Sequence, residues 1–219
     1  MQALFKSLLL VVALSSAGVS AAEAPVKPQS PIKDVTPYVS KDVTTVVAFI
    51  KFNCPSCRMY HAALSEWGRT LPKGFSIQFY PVVEFTPGGQ ITDESLLGLQ
   101  AFWVSEKLGN RQRKELFVDD AYSLSQDEML GGDKDRWFKS LSTFYRKKDV
   151  ISAWQSELKF GDARFQRQFH YEPTETPTLV VCGKWMFSIE AAKGDQNLFA
   201  QLSNGLVSRC ADEIGIKIR

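Results

Sequence analysis

The stretch VVAFIKFNCPSCRMYHAALSEW, Val46 to Trp67, decides how this chain reads. Val46, Val47, Phe49, Ile50 and Phe52 form a nearly continuous apolar run, the pattern of a strand buried on both faces. Beyond the cysteines, Tyr60, Ala63, Leu64 and Trp67 recur at i, i+3, i+4 and i+7 and predict one face of a helix. Cys54-Pro55-Ser56-Cys57 therefore turns a strand directly into a helix, with Pro55 in the first turn, where its missing N–H is not needed. Cys54 then stands at the helix N-terminus, where unpaired backbone N–H groups and the helix dipole favour a thiolate. Disulfide exchange needs an accessible thiolate and a second thiol close enough to release the mixed disulfide. Cys54 is the expected nucleophile and Cys57 its resolving partner.

The same spacing also serves zinc. A structural zinc site needs a second pair of ligands, and the rest of the chain offers only isolated Cys182 and Cys210, with His61 and His170 as its two histidines. The context favours a dithiol/disulfide site without a metal. Lys51 and Arg58 place positive charge nearby and are expected to lower the Cys54 pKa, and Ser56 can donate a hydrogen bond to its sulfur. His61, four residues past Cys57 on the same helix, is a candidate proton relay. The alternative is a surface histidine without a role.

With 219 residues, 44% of them hydrophobic, and a formal charge of +2, the chain is one domain, or one domain with an insertion. Lys and Arg form no long block, so nucleic acid is not an expected partner. Residues 1–21 read as a signal peptide: Lys6 supplies the positive start, Leu8 to Leu14 a short apolar stretch, and Val19-Ser20-Ala21 a cleavage site. Export implies an oxidising compartment in which disulfides persist. Residues 22–42, with Pro25, Pro28, Pro31 and Pro37, read as an extended, poorly packed lead-in.

A strand over Ser76–Val83 completes a βαβ unit with the stretch quoted above. From Thr92 to about His170 the pattern is helical. One helix carries Leu96, Leu97, Leu99, Phe102, Trp103 and Leu108 and stops at Gly109-Asn110, and a second covers Gln112–Tyr122. Ser125-Gln126-Asp127-Glu128 has the form of a capping box. Asp133 to Arg146 reads as a helix, Asp149 as the cap of another through Leu158, and Asp162 as the cap of one through Phe169. Thr178–Val181 and Trp185–Ile189 read as a hairpin, and Asp195–Val207 as a closing helix with Leu198, Phe199, Leu202 and Leu206 on one face.

Phe52-Asn53-Cys54-Pro55-Ser56-Cys57, followed far downstream by TPTLVVCGKW over Thr176–Trp185, resembles the DsbA-type thiol:disulfide oxidoreductases of the bacterial periplasm. The resemblance implies an α/β protein, a thioredoxin fold with an inserted helical subdomain. The domain is expected over residues 43–210, the insertion at about 91–170, and a C-terminal tail over 211–219. It implies that Thr176-Pro177 is a cis-proline loop facing the cysteines and pairing with substrate. It also implies that Cys182 and Cys210 meet at the far pole as a structural disulfide. The expected activity is that of a monomeric, exported oxidase that donates the Cys54–Cys57 disulfide to unfolded or cysteine-containing secreted proteins. It would need no cofactor beyond that disulfide and would be reoxidised by a DsbB-like membrane partner. A periplasmic reductase or isomerase, or a redox-inert thioredoxin-like chaperone or binding module, is the alternative. The chain departs from the family's best-known pattern in having His61 where a glutamate is usual, Ala48 where a buried acid is usual, Ser56 in place of histidine, and Thr176 in place of valine. Ser56 and Thr176 predict a weaker oxidant, and His61 and Ala48 a different management of the proton.

Overall fold

The computed structural model describes residues 32–34, 43–157, 173 and 175–217. The signal-peptide reading, most of the lead-in and the helix expected from Asp162 to Phe169 lie outside them.

A five-stranded mixed sheet forms the centre, in the order β1-β5-β4-β2-β3. Its strands are β1 (Lys33–Asp34), β2 (Thr45–Ile50), β3 (Ser76–Pro81), β4 (Thr178–Val181) and β5 (Trp185–Ser188). β2 lies parallel to β3, from Thr45 opposite Ser76 to Ile50 opposite Pro81, and antiparallel to β4, where Ala48 faces Leu179. The run that reads as apolar throughout is buried throughout: Val46, Ala48, Phe49 and Ile50 are fully inaccessible. β3 is an edge strand, where Pro81 can end the ladder without leaving a neighbour unpaired. Lys33 and Asp34 of the lead-in add the opposite edge by pairing with Met186 and Trp185, a strand too short to read from two exposed polar residues.

The helix α1 (Pro55–Thr70) crosses from β2 to β3. Its buried face is Cys57, Tyr60, His61 and Leu64. This is a rotation from the expected stripe: Ala63 is exposed and Trp67 only half-buried, with its Nε1 donating to Asn204 Oδ1 at 2.8 Å. The apolar count overlooked that a cysteine and a histidine can occupy core positions.

Between β3 and β4 the chain runs through α2 (Asp93–Leu108), α3 (Arg111–Gln126), α4 (Lys134–Phe144) and α5 (Lys147–Glu157). α2 is the centre of this insertion. All residues from Gly98 to Ser105 are buried, as expected of a helix enclosed on every side by α3, α4, α5 and β3. The capping box expected at Ser125 is not one. α3 continues past Tyr122 to Gln126, Ser125 turns inward to bond Glu94, and the next helix is capped by Asp133. Nor does Asp149 cap α5. It lies in the first turn of a helix that begins at Lys147, paired with Arg146 at 2.6 Å.

The closing helix α6 (Gln196–Ile214) is capped by Asp195, expected inside it, and runs well beyond Val207. Ala211 to Ile214 thus belong to the helix rather than to a tail, and Leu198 is 37% exposed rather than part of its buried face. Cys210, fully buried inside α6, is joined to Cys182 at the end of the β4–β5 hairpin. Trp185 lies over this pole, with Lys184 and Arg209 against its ring and Glu213 pairing both cations.

Candidate active site

β2 delivers the chain through Lys51-Phe52-Asn53 into α1, and Cys54 is the N-cap of that helix. Its sulfur occupies the place a Ser or Asp oxygen usually takes, accepting the Cys57 N–H at 3.2 Å. The two cysteines are free thiols, Cys57 buried and Cys54 half-buried. Hydrogen bonding from Cys57 outweighs partial burial and, with hydrogen bonds from the Thr176 side chain and the Cys57 and Ser56 backbone, holds Cys54 well below an ordinary thiol, at about 6. Burial pushes Cys57 far the other way, reinforced by the hydrogen bond with Cys54 and its charge. One sulfur is thus a thiolate near neutral pH while the other keeps its proton. This division is what an attacking and a resolving cysteine require.

Ser56 acts on Cys54 through its backbone rather than its hydroxyl. Lys51 and Arg58 do not act as expected. Each is occupied elsewhere, Lys51 with Glu84 at 2.9 Å and Arg58 in a bidentate pair with Asp127 at 2.7 and 2.9 Å, and neither is among the main causes of the acidity of Cys54.

The Thr176–Pro177 peptide bond is cis, and the Thr176 carbonyl lies 3.2 Å from Cys54 Sγ. The loop therefore presents backbone directly across from the nucleophile. It is held by Thr178 Oγ1 donating to the Glu175 carbonyl at 2.7 Å and Ser188 Oγ donating to the Glu175 carboxylate at 2.6 Å.

His61 is not a surface residue. It is 7% exposed, its ring packed 4.2 Å from that of Phe79 and 5.6 Å from that of Tyr122. Burial first, then the Lys114 charge, lowers its pKa to about 4, so it is a neutral imidazole at neutral pH. Its Nδ1 and the Tyr122 hydroxyl are buried without a hydrogen-bond partner among the described residues. Tyr122 is held protonated chiefly by burial, with the nearby Cys54 thiolate acting in the same direction.

Four residues support the site through contacts that the sequence does not signal: Gln126, Phe52, Gly98 and Glu84. Gln126, at the end of α3, donates from Nε2 to the carbonyls of Phe52 at 2.7 Å and Cys54 at 3.0 Å, fastening the cysteine loop to the insertion. Phe52 anchors the same loop between Tyr122 and Trp137, with ring centroids 5.3 and 5.5 Å away. Gly98 of α2 makes room for it, since a Cβ there would come within 2.9 Å of Phe52 Cδ2. Glu84 receives both Lys51 and Asn53. Each becomes visible only when the insertion and the end of β3 are folded against the loop.

No protein-family model matches the chain. In sequence it is similar to the thiol:disulfide interchange protein DsbA of Azotobacter vinelandii, 25% identical over 158 residues that cover 69% of this chain and 68% of that protein. In fold it matches the crystal structure of Pseudomonas aeruginosa DsbA with a TM-score of 0.66 at 17% identity, over 85% of this chain and 95% of that one. The oxidoreductase NmDsbA1 of Neisseria meningitidis matches with a TM-score of 0.60 at 16% identity, over 84% and 95%. In sequence and in fold, this chain resembles the DsbA-type thiol:disulfide oxidoreductases, thioredoxin folds with an inserted helical subdomain.

Proposed function

We propose that this protein is an exported thiol:disulfide oxidoreductase of the DsbA kind, which donates its Cys54–Cys57 disulfide to cysteine-containing secreted proteins. The observation that carries the reading is the position of Cys54 Sγ: 3.2 Å from the Cys57 N–H on one side and 3.2 Å from the Thr176 carbonyl on the other. An acidic thiol is thereby set against backbone that an extended substrate chain can pair with. A Proteus mirabilis DsbA structure contains a non-covalently bound peptide, PWATCDS, and a cysteine-bearing chain of that kind is the substrate class inferred here.

A substrate thiolate attacks Cys54 Sγ, the Cys54–Cys57 bond breaks, and Cys57 leaves and takes a proton. The second substrate thiolate then attacks the substrate sulfur of the mixed disulfide and expels Cys54 as a thiolate. The substrate has lost two electrons and two protons. The enzyme has gained the two electrons and kept one proton, on Cys57, and the other passes to solvent. The buried Cys57 needs a partner for its proton, and His61 on the same helix face, neutral and with Nδ1 unpaired, is assigned that part. The redox-active disulfide is the only cofactor the reading requires. Turnover as an oxidase needs a membrane partner that reoxidises the cysteines, and the protein is read as a monomer in the periplasm.

Equilibration against glutathione, alongside a reduced model substrate, tests the assignment. A reversible two-electron transition with substrate oxidation supports it. A potential near the ~−270 mV of thioredoxin without substrate oxidation places the protein with the reductases, and no transition at all removes it from this class.

A further inference from the structure

The carboxylate of Glu84 is gripped by two side chains of the cysteine loop, Lys51 Nζ at 2.9 Å on Oε1 and Asn53 Nδ2 at 2.9 Å on Oε2. The backbone of Lys51 touches both cysteines: its N–H points at Cys57 Sγ at 3.4 Å, and its carbonyl accepts the Cys54 N–H at 3.3 Å. Glu84 is itself fixed, with its N–H on Ser95 Oγ at 2.9 Å and its carbonyl accepting the Thr92 N–H at 2.8 Å, at the capped start of α2. Burial alone would raise its carboxyl pKa, but the hydrogen bonds from Lys51 and Asn53 prevail and keep it ionised. The Lys51 and Glu84 side chains are 21% and 34% exposed, so the pair is partly shielded from solvent.

The loop thus carries a cation three residues before the nucleophile, and a fixed carboxylate neutralises it. Resting on the thiol:disulfide reading above, we propose that Glu84 is a positioning residue that restrains the oxidising strength of the Cys54–Cys57 disulfide by holding the Lys51 ammonium away from the Cys54 sulfur. Reduction takes up two electrons and one proton and leaves Cys54 as a thiolate and Cys57 as a thiol. A cation free to approach that thiolate stabilises the reduced form and makes the disulfide a stronger oxidant. Lysine has the flexible stem needed to do so once released. Other charges carried by the elements around the cysteines include Arg58 of α1, paired with Asp127 beyond α3, Asp119 of α3, which acts on Arg58, Arg69 of α1, paired with Glu66 and Glu115, and Glu175 of the cis-proline loop, which accepts from Ser188.

The test is a double-mutant cycle on the full-length mature protein, read by equilibration with glutathione and by thiolate absorbance against pH. Glu84→Gln keeps the shape and removes the charge. It is expected to move the equilibrium about tenfold toward the reduced enzyme, ~30 mV, and to lower the Cys54 pKa. Made in a Lys51→Met background, the same substitution is expected to give a clearly smaller shift in both, since only the direct charge of Glu84 is then removed. An equal shift in both backgrounds, no shift in either, or a shift toward the oxidised enzyme overturns the proposal, since a merely structural role for Glu84 does not depend on the Lys51 charge. Lys51→Met alone is a second measure that does not need the Glu84 variant to fold. It leaves the Glu84 carboxylate without its cation, so the potential is expected to stay at the wild-type value or fall, and a rise in potential overturns the proposal. A wild-type protein without a reversible two-electron transition would refute the functional reading itself, a result distinct from any of these.

Discussion

Gln126 donates from Nε2 to the carbonyl of Cys54 at 3.0 Å, although the two residues are 72 positions apart and sit in different parts of the fold. With its second bond to Phe52, this one amide joins the helical insertion to the reactive cysteine. Gln126→Leu leaves both carbonyls without that donor and is expected to cost about 1–3 kcal/mol. Urea denaturation of the reduced protein measures it: the midpoint should fall with the slope unchanged, and an unchanged midpoint would show that the bonds are dispensable.

The acidity of Cys54 fixes how the redox equilibrium responds to pH. Below about pH 6 both thiols of the reduced form are protonated, so reduction takes up two protons; above it, only Cys57 is protonated. The potential should fall by ~59 mV per pH unit on the acid side and by ~30 mV above. Alkylation by iodoacetamide should rise through the same pH and modify Cys54 alone. Cys54→Ala abolishes exchange and Cys57→Ala accumulates mixed disulfides. First labelling of Cys57 would reverse the assignment.

His61 ties stability to pH. Unfolded, it takes a proton below about 6.5; folded, only below about 4. Between these values the unfolded chain binds more protons, so its contribution is fully present above pH 6.5 and is lost as the pH falls toward 4. The gap corresponds to roughly 3 kcal/mol. His61→Leu should flatten this acid limb of a stability-versus-pH curve. The same variant should slow resolution of the mixed disulfide while Cys54 alkylation stays as in wild type. An unaltered resolution rate would remove His61 from the proton path.

Gly98→Ala sets helix propensity against packing. Alanine favours a helix interior by up to about 1 kcal/mol, but its methyl would lie 2.9 Å from Phe52 Cδ2 and 3.5 Å from Trp137 Cζ2. Both rings belong to a tight aromatic cluster that has little room to yield. Overpacking of this kind costs about 1–3 kcal/mol, so the net effect should be destabilising, with Phe52 displaced toward the cysteine loop. A higher melting temperature for the variant would contradict the argument.

The sheet, the crossover helix and the hairpin were legible in the chain because each carries a local pattern: the unbroken apolar run at Val46–Ile50, the cysteine turn, and two short runs flanking Gly183-Lys184. The disulfide between Cys182 and Cys210 followed from the family resemblance, and the structure contains it. What escaped reading was tertiary. The burial of His61 depends on α3 and β3 closing over α1, and a lone histidine carries no mark of that. Lys51 looked like a cation available to Cys54 because Glu84, 33 positions away, has no local signal of being its partner. Ser125 looked like a helix start because a capping box cannot be told from the end of a helix that runs one turn longer.

The covered disulfide at the far pole has a consequence for a protein that trades in sulfur. Every reduced copy of this protein carries both an aggressive thiolate and a bond that thiolate could attack. Cys210 is fully buried, Cys182 is 7% exposed, and the buried Trp185, three residues past Cys182, carries Lys184 and Arg209 against its ring. Another copy's Cys54 finds no sulfur to reach there. The molecule is in this sense excluded from its own substrate range, and catalytic reactivity can be high without self-inflicted scrambling.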